Sequence, residues 1–252
     1  MTGTALITGA AKRIGRAIAH ELASAGYDIA LHYGTSAADA ADLVREIEER
    51  GRRAVSLEAD LADESAVLAL IPKATDALGP VTALVNNASL FERDEALDVT
   101  RDAWDGQMAV NLRAPFVLMQ QFAYLLPSDR EGAIVNMLDQ RVWNLSPHFV
   151  TYTLSKSGLW TLTQTMALAL APRIRVNGVG PGPVLPNERQ SADQFRRHWS
   201  SLPLARQIQP EDVSGAVRYL VEARAVTGQM IAVDCGEHLA WVQPKRGVPP
   251  PE

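Results

Sequence analysis

A tyrosine and a lysine four residues apart form the most reactive pair in the sequence. Tyr152 and Lys156 lie near the start of a segment in which Leu159 and Met166 continue a helical spacing. Both side chains therefore project from one helix face, about a turn apart. A phenol has a pKa of about 10, and a nearby ammonium lowers that pKa towards the range of proton transfer. We predict that Tyr152 exchanges a proton with a substrate and that Lys156 lowers its pKa.

An aspartate follows the apolar run just before this helix. Residues 133–138 are long enough for a buried strand, which would end at Asp139. A carboxylate about 4 Å from a ketone oxygen would oppose its developing negative charge by roughly 4 kcal/mol at an effective dielectric near 20, whereas a hydroxyl would help. Reduction of a ring C=N takes up a proton instead. Asp139 therefore favours an imine-type substrate over a ketone, unless it only caps the loop.

Two glycines after the first apolar run are typical of a phosphate-binding turn. Residues 5–8 lead into Gly9, and Gly15 lies near the start of a predicted helix that contains Ile14 and Ile18. Gly9 permits a tight turn and Gly15 a close approach of helix to sheet, so the free amides of the helix would face an anion such as a pyrophosphate. The alternative is a tight turn without a ligand.

The residues after the second apolar run bear on the choice of dinucleotide. An acid there would bind the ribose hydroxyls of NAD, but His32, Tyr33 and Ser36 occupy a stretch that contains none. Arg13 lies in the first turn of the predicted helix, where a cation opposes the macrodipole and is therefore expected to hold an anion. These features favour NADP(H). The alternative is that Arg13 is merely solvated.

Apolar runs alternate with helix-length segments along the whole chain, which predicts an α/β, Rossmann-type, doubly wound parallel sheet with helices on both faces. We expect one dinucleotide-binding and catalytic domain over residues 1–243 and a Pro-rich tail over 244–252. Gly26 and Gly51 should end helices. The predicted strands are Thr4–Thr8, Ile29–Tyr33, Ala54–Glu58, Ala83–Asn86, Ala133–Leu138, Arg175–Val179 and Met230–Asp234.

Three other stretches of the sequence contain polar residues or turns that are candidates for contact with a ligand. Asn87 and Ser89 come after the fourth strand, and Asn111 lies in a long predicted helix from about 101 to 126. Gly180-Pro181-Gly182-Pro183 predicts a rigid turn after the sixth strand, and residues 183–207 a segment that covers the site. The alternatives are self-satisfied loop residues, a helix-bending asparagine and an ordinary surface loop.

Composition excludes several classes of function. The net charge is −5, from 24 Lys and Arg against 29 Asp and Glu, and no basic block predicts a nucleic-acid surface. Cys235 is the only cysteine, so no internal disulfide forms, which fits a reducing cytoplasm. Five scattered histidines predict no metal site. No apolar run of membrane-spanning length and no leader are present, so we expect neither membrane insertion nor secretion.

The motifs together resemble the short-chain dehydrogenase/reductase family over nearly the whole chain. The match comprises Thr8-Gly9 with Gly15, Asp60, Asn86-Asn87-Ala88, Asn111, Tyr152 with Lys156, and Pro181-Gly182. The resemblance implies about seven strands, hydride transfer with a nicotinamide, and tetramers formed through the long helices. It implies that Tyr152 donates the proton, that Lys156 holds the nicotinamide ribose, and that Asn111 positions a relay water. The implied cofactor residues are Gly9, Arg13, Ile14, Gly15, His32, Tyr33, Ser36, Asp60, Leu61, Asn87, Ala88, Ser89, Tyr152, Lys156, Pro181 and Gly182.

Within that family the chain is similar to pteridine reductases and dihydromonapterin reductases. The resemblance rests on Thr8–Gly15, Asn86–Phe91 and Asn136–Asp139, where most of the wider family has Ser instead of Asp139. It implies substrate contacts from Arg13, Ser89, Phe91, Asp139 and Tyr152, with Phe91 stacked on a pterin ring. Thr35 replaces an Arg that some relatives use on the 2′-phosphate, and Val184 stands near a position that is polar in some of them.

Three functions follow, of which the first is preferred. The chain would reduce a dihydropterin, dihydromonapterin or dihydrofolate-like ring with NADPH, Tyr152 and Asp139 managing the proton. Alternatively it would reduce a ketone or 3-oxoacyl thioester. The third possibility, a dinucleotide-binding regulator without turnover, conflicts with the intact set of Asn111, Tyr152 and Lys156.

Overall fold

A seven-stranded sheet forms the centre of the molecule. The computed structural model describes residues 3–186 and 190–239. Strand order is β3-β2-β1-β4-β5-β6-β7, and every neighbouring pair is parallel, which confirms the predicted fold class. The strands are β1 Thr4–Ile7, β2 Asp28–Tyr33, β3 Ala54–Glu58, β4 Val81–Asn86, β5 Gly132–Met137, β6 Ile174–Pro181 and β7 Met230–Val233.

The part of the chain described contains eight α-helices, six of which pack their buried sides against the two faces of this sheet. The eight helices are α1 Arg13–Ser24, α2 Ala37–Glu49, α3 Glu64–Leu78, α4 Arg101–Met108, α5 Ala114–Leu125, α6 Val150–Ala169, α7 Ala192–Ser200 and α8 Pro210–Glu222. One core contains the buried sides of α1, α2 and α8, and the other those of α3, α5 and α6. The second core contains Phe122 and Leu159, each 1% exposed, which anchor α5 and α6 against the sheet.

The sequence located the strands well and their ends less well. The prediction for β3 agrees at both ends, and the others differ by one or two residues at one end or, for β5 and β6, at both. Gly180 and Pro181 were predicted to lie in a turn, but they pair with Ala232 and Val233 of β7. Pro181 is the last residue of β6 and lies beyond Val179, where pairing with β5 ends, so its missing N–H affects only the end of the ladder. Gly26 and Gly51 end α1 and α2 with positive φ, as predicted.

The predicted long helix at 101–126 is one helical run with a widened turn. Residues Ala109–Arg113 form a π-helical turn between α4 and α5, and Asn111 lies inside it with no exposed surface. A π-turn leaves backbone and side-chain groups free to bond elsewhere, and such turns are frequent at functional sites. The predicted long helix is therefore confirmed as one helical run, and only its π-turn was not predicted.

The predicted covering segment, residues 183–207, contains the short helix α7. Ser191 and Gln194 form a capping box at its start, which explains why a helix begins there. Residues 187–189 of this segment, and the predicted tail 244–252, lie outside the described residues. The one-domain division over 1–243 remains a prediction. No helix in residues 3–186 or 190–239 is long and apolar enough to cross a membrane.

Candidate active site

The turn between β1 and α1 has the shape of an anion cradle. Gly9 has φ +61°, and a Cβ on Gly15 would lie 2.3 Å from the Gly9 carbonyl oxygen. The Asn87 side chain fixes this turn by donating to the carbonyls of Thr8 and Gly9 at 2.8 and 3.1 Å. No side chain caps the start of α1, so its first amides are open to a ligand. These observations fit a dinucleotide pyrophosphate.

Two adjoining cavities open at the carboxyl edge of the sheet. The larger, about 700 Å³, runs along the β1–α1 turn to the ends of β2 and β3. The smaller, about 410 Å³, lies over the ends of β5 and β6. Both volumes are typical of ligand pockets. The predicted residues that line the larger cavity are Gly9, Arg13, Ile14, Gly15, His32, Asp60, Leu61, Asn87, Ala88 and Ser89. Those that line the smaller are Arg13, Ile14, Asn87, Ser89, Phe91, Asp139, Tyr152, Lys156, Pro181 and Gly182.

Of three residues predicted to bind the cofactor, His32 lines the larger cavity but bonds within the protein, and Tyr33 and Ser36 line neither cavity. Both ring nitrogens of His32 bond within the protein, Nδ1 accepting the Gly9 amide and Nε2 facing the Ala59 carbonyl at 3.1 Å. Burial lowers the pKa of His32, so the ring is neutral and supports the turn. Tyr33 donates to Glu58 at 3.3 Å, and Ser36 precedes α2; neither lines a cavity. The sequence could not show which way these side chains point.

Charged residues that the sequence analysis missed line the larger cavity. Glu58, at the end of β3, lies there with Lys12 of the β1–α1 turn. Lys12 forms an exposed ion pair with Asp39 of α2 at 2.9 Å. The choice between NAD and NADP was based on Arg13 and on the absence of an acid at the end of β2, yet β3 pairs with β2 and brings Glu58 to the same edge. A carboxylate is therefore present near the cavity despite its absence from the β2 turn.

The smaller cavity contains a hydrogen-bonded group of three side chains. Tyr152 Oη donates to Asp139 Oδ2 at 3.0 Å, and Arg141 Nη1 contacts the same oxygen at 3.0 Å. Asp139 Oδ1 accepts the Arg141 amide at 2.8 Å, so the carboxylate also caps the 3₁₀ turn at 140–142. The side chains of Asp139 and Arg141 are only 12% and 22% exposed. Arg141 was missed because the sequence predicted only a loop there.

The pKa of Tyr152 shifts in the direction opposite to the prediction. Burial raises the pKa of Tyr152 well above its usual value, and the Asp139 carboxylate adds to this, while Arg141 acts against it. Lys156 Nζ donates to the Met137 carbonyl at 2.7 Å and lies 5.7 Å from the Tyr152 ring centre. Tyr152 is therefore protonated at neutral pH in the ligand-free protein, in a state to donate.

Lys156 is a buried lysine whose protonated form is less favoured than it is in water. It is 2% exposed, and burial lowers the pKa of Lys156 from 10.5 to about 8, with Asp139 opposing that shift. Its position one helical turn beyond Tyr152 on α6 agrees with the predicted spacing.

Two phenylalanines form an aromatic wall beside this group. Phe91 and Phe149 stack with centres 4.6 Å apart and planes 5° from parallel, and Phe91 meets Tyr152 edge-on at 4.7 Å. Arg141 lies 5.6 and 5.4 Å from the two phenylalanine centres. Arg141 is therefore within cation–π distance of both rings, in addition to its ion pair with Asp139. Phe149 was not predicted.

Asn111 is fully engaged with protein groups and lines neither cavity. Its Oδ1 accepts Leu90 N at 2.8 Å and Ser89 Oγ at 3.2 Å, and its Nδ2 donates to Ser155 Oγ at 3.1 Å. In this structure Asn111 supports the loop after β4 and α6, and its role in positioning a relay water stays a prediction.

Arg13 joins the two cavities to the covering segment. α1 begins at Arg13, as the sequence predicted, and its guanidinium donates to the carbonyls of Pro186 and Leu185 at 3.1 and 3.4 Å. Glu237 and His198, which pair at 2.9 Å, close the far side of the smaller cavity. Neither was predicted, because nothing in the sequence links positions so far apart. Residues 3–186 and 190–239 contain no cluster suited to a metal ion.

The parallel fold, the glycine turn and the Tyr–Lys helix together define a dinucleotide-dependent oxidoreductase. A family model described as enoyl-(acyl carrier protein) reductase matches residues 9–238. The chain belongs to the short-chain dehydrogenase/reductase family, as its motifs predicted.

Relatives in this family carry different activities. The 3-oxoacyl-[acyl-carrier-protein] reductase FabG of Staphylococcus aureus is 32% identical over 95% of this chain and 99% of its own length. The L-rhamnose 1-dehydrogenase (NAD(P)(+)) of a Sphingomonas species is 33% identical over 94% of this chain and 96% of its own. Among solved structures, FolM alternative dihydrofolate reductase 1 from Brucella canis, complexed with NADP, is 46% identical with a TM-score of 0.93, covering 96% of each chain.

Proposed function

We propose that this chain is an NADPH-dependent reductase of a pteridine-type ring, such as a dihydropterin, dihydromonapterin or dihydrofolate-like compound. The observation that carries the proposal is the hydrogen bond from Tyr152 to Asp139 beside the Phe91 wall. The 46% identity to a dihydrofolate reductase complexed with NADP supports both the substrate class and the cofactor.

The larger cavity is the proposed cofactor site. When bound, the nicotinamide would supply the hydride. The Gly9–Gly15 turn would hold the pyrophosphate on open amides, and Asp60 and Leu61 would border the adenine. Lys12 and Arg13 would supply positive charge against a phosphate. Lys156 would hold the ribose with the ammonium that now donates to Met137.

The smaller cavity is the proposed substrate site. Phe91 would stack on a flat heterocycle, for which offset aromatic packing is favourable. Tyr152, kept protonated by burial, would donate its phenolic proton to the ring nitrogen. Asp139 would stabilise the ring as it gains that proton. Arg141, at 3.0 Å from Asp139, keeps this carboxylate in place.

Arg141 also alters the electrostatic argument from the sequence. A guanidinium on Asp139 offsets part of the repulsion that an isolated carboxylate would exert on a ketone oxygen. Reduction of a ketone or 3-oxoacyl thioester is therefore a second candidate, which the FabG relative also supports. A non-catalytic regulator has no such observation in its favour.

Steady-state kinetics with NADPH test the proposal. The full-length chain is assayed against dihydrobiopterin, dihydromonapterin and dihydrofolate, and in parallel against a 3-oxoacyl thioester. We expect oxidation of NADPH with at least one pteridine and a kcat/KM at least tenfold above that for the thioester. Turnover of the thioester alone would establish the second candidate, and no turnover of any pteridine would reject the first.

A further inference from the structure

The helix that carries the proposed proton donor has an unusual start. α6 begins after Phe149, whose φ of 60° is left-handed and whose side chain cannot cap a helix. A helix normally satisfies its first amides with a Ser, Thr, Asp or Asn at this position. Here the acceptor comes from another part of the chain.

Asp94 supplies this cap from the loop after β4. Its main-chain carbonyl accepts the Phe149 amide at 2.9 Å. Both carboxylate oxygens lie 3.3 Å from the Thr151 amide, and Oδ2 also accepts the Thr151 hydroxyl. Asp94 is 7% exposed and Thr151 is fully buried. Among the residues described, no cationic side chain pairs with Asp94, and its carboxylate bonds to the Thr151 amide and the Thr151 hydroxyl.

A third side chain holds this contact in place. Gln107 of α4 is buried and donates its amide to Thr151 Oγ at 2.5 Å and to the Glu92 carbonyl at 3.4 Å. The Thr151 hydroxyl therefore receives one hydrogen bond and donates another. Three separate elements, α4, α6 and the loop after β4, meet at this buried hydroxyl.

The same connection spans both sides of the proposed substrate site. The loop after β4 carries Phe91 three residues before Asp94, and α6 carries Tyr152 directly after Thr151. Phe91 stacks on Phe149 and meets Tyr152 edge-on. Any shift between loop and helix would therefore change the gap in which a flat ring must lie.

We propose that Asp94 is a positioning residue that fixes the loop bearing Phe91 to the first turn of α6, and so sets the distance between the aromatic wall and the Tyr152 hydroxyl. The effect on turnover rests on the pteridine reductase function proposed above, whereas the connection between loop and helix does not. Asp94 touches neither cavity and acts only through its neighbours.

The kinetic test compares Asp94→Ala and Asp94→Asn with Thr100→Ala. Thr100 caps α4 through the Ala103 amide at 3.2 Å and lines neither cavity, so its loss removes a cap of the same kind. For Asp94→Ala we expect at least a tenfold fall in kcat/KM for the pteridine, with a higher KM, and an NADPH Kd within twofold of the wild type. Asp94→Asn retains an acceptor oxygen and should recover at least half of that loss on a logarithmic scale.

Amide hydrogen exchange on the ligand-free chain provides the second measurement. In Asp94→Ala, the segments 89–94 and 149–153 should both exchange at least tenfold faster, while Thr100→Ala leaves them unchanged. If Asp94→Ala does not fold, Thr151→Val removes only the hydroxyl and should raise the pteridine KM at least threefold. The proposal is overturned if the folded variants keep wild-type KM and kcat, or if exchange rises in one segment alone. Should the wild type reduce no pteridine, the exchange measurement decides the proposal by itself.

Discussion

Replacing Asp139 by asparagine changes the charge at the centre of the site and hardly changes its size. The variant removes the anion that both Tyr152 and Arg141 contact at 3.0 Å. The Coulomb attraction of an ion pair at this distance is about 5 kcal/mol at an effective dielectric of 20. Because both side chains are mostly buried, Arg141 loses much of this interaction and is left poorly compensated.

In the proposed reaction a proton must reach the ring nitrogen, and this sets the expected effect on catalysis. A positioned acid or base contributes about 10²- to 10⁴-fold to a proton-transfer step. We therefore expect Asp139→Asn to lower kcat with NADPH and a dihydropterin by 10²- to 10⁴-fold, while the Kd for NADPH changes less than threefold. Loss of NADPH absorbance measures the former, and fluorescence titration the latter.

Asp28→Asn is the matched control for this variant. Asp28 is also 12% exposed and pairs with two arginines, Arg52 and Arg53, but it begins β2 at the opposite edge of the sheet. The Asp28→Asn variant should be less stable than the wild type but should keep the wild-type kcat. A kcat for Asp139→Asn within threefold of the wild type would refute the reasoning, since the carboxylate would then have no part in the reaction.

Three further predictions concern the cofactor turn, the buried lysine and the assembly. Gly15→Ala should weaken NADPH binding at least 100-fold by titration, because its Cβ would lie 2.3 Å from the Gly9 carbonyl, whereas Gly215→Ala, with nothing within 4 Å, should bind normally. In the unfolded chain Lys156 keeps its proton up to about pH 10.5, whereas in the folded protein it loses the proton near pH 8. The unfolded state therefore binds more protons between these two pH values, and the free energy of unfolding rises with pH there. Urea unfolding of the ligand-free protein should therefore show a gain of about 2 kcal/mol from this residue between pH 7 and 9.5; Lys156→Met should lack it, and an equal gain in that variant would contradict the cause. Sedimentation should show a tetramer that Leu162→Asp, in an apolar groove of about 470 Å³ on α4, α5 and α6, dissociates; a wild-type monomer at micromolar concentration would reject the assembly.

Local patterns determined how much of the fold could be predicted. Apolar runs separated by helix-length segments predicted all seven strands, because a parallel sheet buried on both faces needs continuous apolar strands. The π-turn at Asn111 could not be foreseen, since it depends on bonds to Ser89, Leu90 and Ser155 from other elements. The end of β6 differs from its prediction for the same reason, because pairing with β7 extends this strand to Pro181.

The candidate site shows the same limit. Motif spacing brought Asp139, Tyr152 and the Gly9 turn to one edge of the sheet, because strand ends in a parallel sheet meet there. Arg141 and Phe149 lie in a stretch without periodicity, so the directions of their side chains could not be predicted. The sign of the Tyr152 pKa shift depends on burial, which only the packed structure shows.

A crystal structure of the chain with NADPH and a pteridine analogue tests the central claim most directly. The measured quantities are the distance from Asp139 to the nearest ring nitrogen and the stacking of the ring on Phe91. We predict a carboxylate-to-nitrogen distance of about 3 Å, with the ring between Phe91 and the nicotinamide. A ring bound elsewhere, or one whose nitrogens lie beyond hydrogen-bond reach of both Asp139 and Tyr152, would contradict the assignment.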